Sequence, residues 1–115
     1  MLFIDKYSFL DRKNQTGYII NKYPDKIPVI CEKNIYSKDT PELQNKKYLI
    51  PKSYTFGQFI LVIRNQLKLP PNISLFFFIG VNIPSTNKNM YSLYECYKND
   101  DGFLYVNYAV ENTFG

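Results

Sequence analysis

Apolar residues in the middle of the chain recur at helical spacing. Phe56, Phe59, Ile60, Ile63 and Leu67 fall at i, i+3, i+4, i+7 and i+11, which is one face of a helix. Thr55 followed three residues later by Gln58 is a capping-box pattern and places the helix start at Phe56. Just ahead, Lys46-Lys47-Tyr48-Leu49-Ile50 mixes basic heads with aromatic and branched side chains and closes on Pro51. Proline cannot donate to a ladder, so this run is predicted as a strand on a sheet edge. An edge strand beside a packed helix makes a groove that an extended peptide can join as one more strand.

The same signals place the other elements. Ser8 with Asp11 three residues on opens a helix over residues 9–21, preceded by a short helical turn within residues 1–7. Gly17 is its weak point, costing about 1 kcal/mol relative to Ala. Lys26 to Lys33 alternates Ile27, Val29 and Cys31 with Pro28, Ile30 and Glu32, a strand whose proline leaves at least one end incompletely bonded. Residues 34–45 form a polar connection, so this strand and the 46–50 strand are predicted to pair antiparallel. Leu69-Pro70-Pro71 stops the central helix. Ser74 to Ile79 is continuously apolar, a strand covered at least in part on both faces. Met90, Leu93, Tyr94 and Tyr97 mark a second short helix, and Asn99-Asp100-Asp101-Gly102 is a turn leading into a last strand over 103–110.

This order predicts an α+β domain: a ubiquitin-like β-grasp roll with a four-stranded mixed sheet, helices on one face and an N-terminal helical extension. The extension is residues 1–23, the core 24–110, and residues 111–115 a flexible tail. At 115 residues the chain is one domain, a monomer in solution.

Composition narrows the chemistry. The chain has no histidine, which removes the commonest general base and zinc ligand. Two cysteines cannot build a four-cysteine site. Cys31 on its strand and Cys96 on the short helix read as packed, reduced thiols. Asp100 and Asp101 read as a solvated turn, so no enzyme, metal or cofactor is expected. No run approaches the roughly 18 apolar residues of a membrane span, and no signal-peptide core is evident, so the expected place is the cytosol or a membrane's cytosolic face. The formal charge of +4 rests on twelve Lys against two Arg. That balance, together with Phe76-Phe77-Phe78 being too apolar for a base-stacking platform, argues against nucleic acid.

The blocks at residues 22–33 (KYPDKIPVICEK), 46–51 (KKYLIP), 56–64 (FGQFILVIR), 75–84 (LFFFIGVNIP), 90–94 and 101–115 (DGFLYVNYAVENTFG) resemble, in the same order, the autophagy-related protein 8 family of ubiquitin-like modifiers. The γ-aminobutyrate-receptor-associated proteins are one branch of that family. The resemblance implies conjugation of Gly115 to phosphatidylethanolamine by activating and conjugating enzymes, with a cysteine protease for deconjugation. It implies an autophagosomal or vacuolar membrane for the lipidated form, and cargo receptors or adaptors carrying an acid-flanked aromatic-x-x-aliphatic motif. By matching blocks, an aromatic pocket uses Ile19, Pro28, Lys47, Leu49 and Phe103. An aliphatic pocket uses Tyr48, Ile50, Pro51, Tyr54, Phe59 and Val62. Lys22, Lys26, Lys46, Lys47 and Arg64 attract the flanking acids. Gln15 and Gln66 stand where many members carry an acid and a base. An adaptor with the same fold that binds peptides without being conjugated is the alternative.

The period-2 geometry of a strand supports the split between pockets, since Lys47 and Leu49 face one way while Tyr48 and Ile50 face the other. Two buried side chains contribute about 1.5–3 kcal/mol each, and about three ladder hydrogen bonds roughly 0.5–1.5 each. Ordering the peptide offsets much of this, so the expected affinity is about micromolar or weaker unless flanking acids add to it.

Overall fold

The structure, a computed structural model, describes residues 1–111. Its elements are α1 (Phe3–Lys6), α2 (Phe9–Lys22), β1 (Lys26–Lys33), β2 (Lys47–Pro51), α3 (Phe56–Leu67), β3 (Phe76–Phe78), α4 (Met90–Tyr97) and β4 (Leu104–Ala109). The four strands form one mixed sheet in the order β2-β1-β4-β3. β1 and β4 run parallel at its centre, and β2 and β3 pair antiparallel outside them. β2 is therefore an edge strand, as the terminal proline predicts.

Alternation divides each central strand between two cores. Ile27, Val29, Cys31, Leu104, Val106 and Tyr108 meet Phe56, Phe59 and Ile63 of α3 and Met90, Leu93 and Tyr94 of α4. On the reverse face Ile30 and Phe103 meet Phe3 of α1 and Ile19 of α2. The N-terminal extension thus covers the side of the sheet that α3 and α4 leave open. Without it, Phe103, which is fully buried, would face water; a burial of that size contributes about 1.5–3 kcal/mol.

The helix ends form as local chemistry dictates. Thr55 Oγ1 accepts from Gln58 N at 3.2 Å, and Gln58 Oε1 accepts from Thr55 N at 2.8 Å, the reciprocal capping box. Ser8 caps α2 by accepting from Asp11 N, and the helix runs unbroken through Gly17. Asn89 caps α4 through bonds from Tyr91 N and Ser92 N.

Three expectations need correction. The 74–79 run is strand only over Phe76–Phe78, because Ile79 turns back onto Asn82 through mutual backbone bonds of 2.9 and 3.0 Å, with Gly80 at positive φ. Cys96 is exposed and not packed, whereas Cys31 is buried. Asp101 is not part of a solvated turn: it is fully buried, while Asp100 beside it is exposed.

Candidate functional site

The register of β2 decides which of its backbone groups are available. Cys31 N donates to Lys46 O at one end of the pair, and Lys52 N donates to Asp25 O at the other. Both fit the β1–β2 register of Val29 opposite Tyr48 and Ile27 opposite Ile50. In an antiparallel ladder hydrogen-bonded and non-bonded pairs alternate. Lys46, Tyr48 and Ile50 therefore spend their N–H and C=O groups on β1, while Lys47 and Leu49 point theirs off the sheet. Pro28 sits opposite Leu49 in a non-bonded pair, so β2 loses nothing to its missing N–H. On its other side, the parallel ladder with β4 begins only at Val29. The open edge thus carries two donors and two acceptors, which is what an added strand needs.

Side chains of the same two residues line a hollow. A cavity of about 320 Å³ between α2 and β2 is bounded by Gln15, Tyr18, Ile19, Tyr23, Lys47 and Leu49, near the small end of ligand-sized pockets. Gln15, Tyr18, Ile19 and Lys22 fall at i, i+3, i+4 and i+7 of α2, one helix face. Pro28 and Phe103 do not border the opening. Pro28 lies buried opposite Leu49, and Phe103 is fully buried in the cluster that includes Ile19 and Leu49. Tyr18 and Tyr23 join the predicted lining; Tyr18 shares the helical spacing of Gln15 and Ile19 but is exposed, outside any apolar stripe. A larger hollow of about 880 Å³ follows β2 outward, reaching from Met1 and Phe3 across Lys47–Leu49 to Gln66 on α3.

The other predicted pocket lies on the α3 side. Ile50 and Phe59 are buried there, with the Tyr48 ring edge-on to Phe59 at 6.5 Å. Phe59 is also stacked on Phe56 at 6.2 Å, so both buried residues are core and can serve only as a floor. Pro51, Tyr54 and Val62 are half-buried around them. Burial pushes the Tyr48 phenol up to about 12, and its hydroxyl donates to Asn45 O at 2.8 Å.

The basic residues differ in what they can reach. Lys47 Nζ donates to Gln15 Oε1 at 2.9 Å across the mouth of the cavity. Lys22 Nζ donates to Tyr18 OH at 3.0 Å and lies over the rings of Tyr18 and Tyr23; the Tyr18 bond raises its pKa. Lys26 is half-buried where β1 begins, opposite Pro51. Lys46 Nζ donates to Met1 O at 2.7 Å and Glu32 Oε2 at 3.0 Å, and Glu32 also accepts from Phe3 N. Lys46 therefore anchors α1. Arg64 donates to Pro70 O at 2.8 Å and Ile73 O at 2.5 Å, tying the loop after α3 back to the helix. Gly115 lies outside the described residues. Among those residues no helix is long and apolar enough to cross a membrane.

Fold and site together define a ubiquitin-like domain with an open, basic edge strand and a second helical layer beside it. Comparison with known proteins agrees. The family described as "Autophagy protein Atg8 ubiquitin like" matches residues 11–115. The autophagy-related protein 8 of Schizosaccharomyces pombe is 48% identical over 113 residues, spanning 98% of this chain and 93% of that protein. Its counterpart from Mycosarcoma maydis is also 48% identical over 113 residues, covering 98% and 95%. The crystal structure of Trypanosoma brucei ATG8 matches with a TM-score of 0.91 at 34% identity, over 100% of this chain and 98% of that one. The chain belongs to the Atg8 family of ubiquitin-like autophagy proteins.

Proposed function

We propose that this protein is a ubiquitin-like modifier joined through the Gly115 carboxylate to the amine of phosphatidylethanolamine. On the membrane it recruits cargo receptors and adaptors that carry an acid-flanked aromatic-x-x-aliphatic motif. The observation that carries the recruitment half is the pairing of functions at Lys47 and Leu49. Their backbone groups point off the sheet, while their side chains line the α2–β2 cavity. A peptide added as a strand therefore places one side chain in that cavity, and the α3 side receives another.

Family membership supports the covalent half. The carboxylate is adenylated, carried as a thioester on a partner enzyme's cysteine and passed to the lipid amine with release of the thiol. A cysteine protease reverses the linkage. This chain supplies the carboxylate and the docking surface, and other proteins do the catalysis. Two acyl chains, at about 0.8 kcal/mol per buried CH₂, make a stable anchor. The free form is cytoplasmic and the lipidated form sits on autophagosomal or vacuolar membranes.

Reconstitution with activating and conjugating enzymes and phosphatidylethanolamine liposomes tests the reading. The wild-type chain shifts to a lipidated species and Gly115→Ala does not. Lipidation of Gly115→Ala would refute it. Separately, Lys47→Ala with Leu49→Ala weakens an acidic Trp-x-x-Leu peptide at least about tenfold, since losing a Leu-sized contact alone is worth about that factor.

A further inference from the structure

The buried seam of α2 contains three residues: Arg12, Thr16 and Ile19. Only Ile19 is apolar, and it lines the cavity. Two polar residues are an unusual way to seat a helix, and both are directed to one place. Arg12 Nη1 donates to Asp101 Oδ2 at 2.5 Å, and Thr16 Oγ1 donates to Asp101 O at 2.6 Å. Asp101 is itself fixed from the sheet side. Its Oδ1 accepts from Phe103 N at 2.8 Å and its Oδ2 from Tyr105 OH at 2.6 Å. Burial and that bond push the Tyr105 phenol above its ordinary range, keeping it a donor.

Close approach reinforces the arrangement. Gly102 has φ of +93°, and a Cβ there would lie 2.5 Å from Thr16 Oγ1. Arg12 Nε also donates to Tyr7 O at 3.1 Å, so the junction between α1 and α2 is held by the same guanidinium. The apolar residues Phe9, Leu10 and Ile20 on α2 are exposed and contribute little to its placement.

We infer that Asp101 is a positioning residue for the aromatic cavity: acting through Arg12 and Thr16, it sets the distance between α2 and β2 and so the preference of the cavity for an aromatic side chain. This rests on the peptide-binding reading above. The argument is geometric. Asp101 holds two of the three buried residues of α2, and the third is a wall of the cavity. Gln15, Tyr18 and Ile19 move together when the helix shifts, and a misplacement of about 1 Å is enough to spoil a fitted site. The α3 side of β2 shares none of these contacts, so aliphatic recognition is independent of Asp101.

Asp101→Asn keeps the shape and removes the charge facing Arg12; Thr16→Val keeps the shape and removes one bond from the helix side. Calorimetry compares three acid-flanked peptides, Trp-x-x-Leu, Ala-x-x-Leu and Trp-x-x-Ala, with each protein shown by circular dichroism to be folded at the assay temperature. The ratio of Ala-x-x-Leu to Trp-x-x-Leu dissociation constants falls about fivefold in Asp101→Asn and about twofold in Thr16→Val, within the usual range for coupling through a packed network. The ratio of Trp-x-x-Ala to Trp-x-x-Leu stays within about a factor of two, because distant sites act independently. A purely structural role lowers the melting temperature and leaves both ratios unchanged, and that result overturns the inference. If Asp101→Asn fails to fold, Thr16→Val decides on the same ratios. A wild-type chain with equal affinity for the Trp and Ala peptides overturns the peptide-binding reading itself.

Discussion

Lys47 and Gln15 meet across the mouth of the α2–β2 cavity, the ammonium donating to the amide oxygen at 2.9 Å. The edge strand and the N-terminal helix are joined there by a hydrogen bond to a neutral acceptor, and among the described residues no carboxylate pairs with Lys47. An acid flanking a bound peptide can take over that bond without displacing another anion. Gln15→Glu replaces it with an ion pair and places a negative charge where the flanking acid approaches. Affinity for an acidic Trp-x-x-Leu peptide then falls about two- to fivefold at low salt, the scale of an exposed pair. The difference narrows as salt screens the mouth. Calorimetry at two ionic strengths measures both effects.

Arg64 closes the loop after α3 through two carbonyls. Arg64→Ala removes the donor from both, one of them partly buried. Such bonds to a charged group are worth about 1.5–3 kcal/mol when buried, so here the loss of stability is about 1–2 kcal/mol. Chemical denaturation reads that change. Peptide affinity stays within a factor of about two, since Arg64 is turned to the loop.

The two cysteines differ in access. Cys96 is exposed and Cys31 is fully buried, and burial, reinforced by the charge of Glu32, raises the Cys31 thiol well above its ordinary value. Reactivity requires an accessible thiolate. Ellman's reagent titrates one thiol in the native protein and two in denaturant, and Cys96→Ser abolishes the native reaction.

Stability is lost on the alkaline side. The Cys31 thiol and the Tyr48 phenol, the latter at about 12 against an ordinary 10.0, stay neutral in the fold above the pH at which the unfolded chain ionises. Burial is the main cause for both. Their folded values are raised, so their contribution is complete below about pH 9 and is lost as pH rises through the folded values. Melting temperature is therefore flat with respect to these groups up to about pH 8.5 and falls above about pH 9. Cys31→Ala moves the onset towards about pH 10, where tyrosine begins to ionise.

Local chemistry is what made much of the fold legible. Thr55 and Gln58 are three residues apart, and their reciprocal bonds need nothing from the rest of the chain. The alternation in residues 26–33 likewise maps directly onto the two faces of β1. Asp101 departs from the turn expectation for the opposite reason. Its neighbours Asn99, Asp100 and Gly102 are turn formers, but its partner Arg12 is 89 residues away, and only the tertiary fold brings the charge that permits its burial. Arg64 carries the charge that attracts an acid, but the folded-back loop claims its donors. Cys96 lies about 120° from the centre of the buried stripe of α4, counting 3.6 residues per turn, and so faces solvent although its helix is packed. In the candidate site, Lys47 and Leu49 came from the resemblance, with strand periodicity placing both on one face, while Tyr18 and Tyr23 needed the cavity itself.

The central claim is that a peptide adds to β2 through Lys47 and Leu49. Amide hydrogen exchange, followed by NMR with and without an acidic Trp-x-x-Leu peptide, tests it residue by residue. The expected result is alternation: the Lys47 and Leu49 amides gain protection on binding, at least about tenfold for a saturated complex. Tyr48 and Ile50, already bonded to β1, change little. Binding that protects neither Lys47 nor Leu49 would contradict the account.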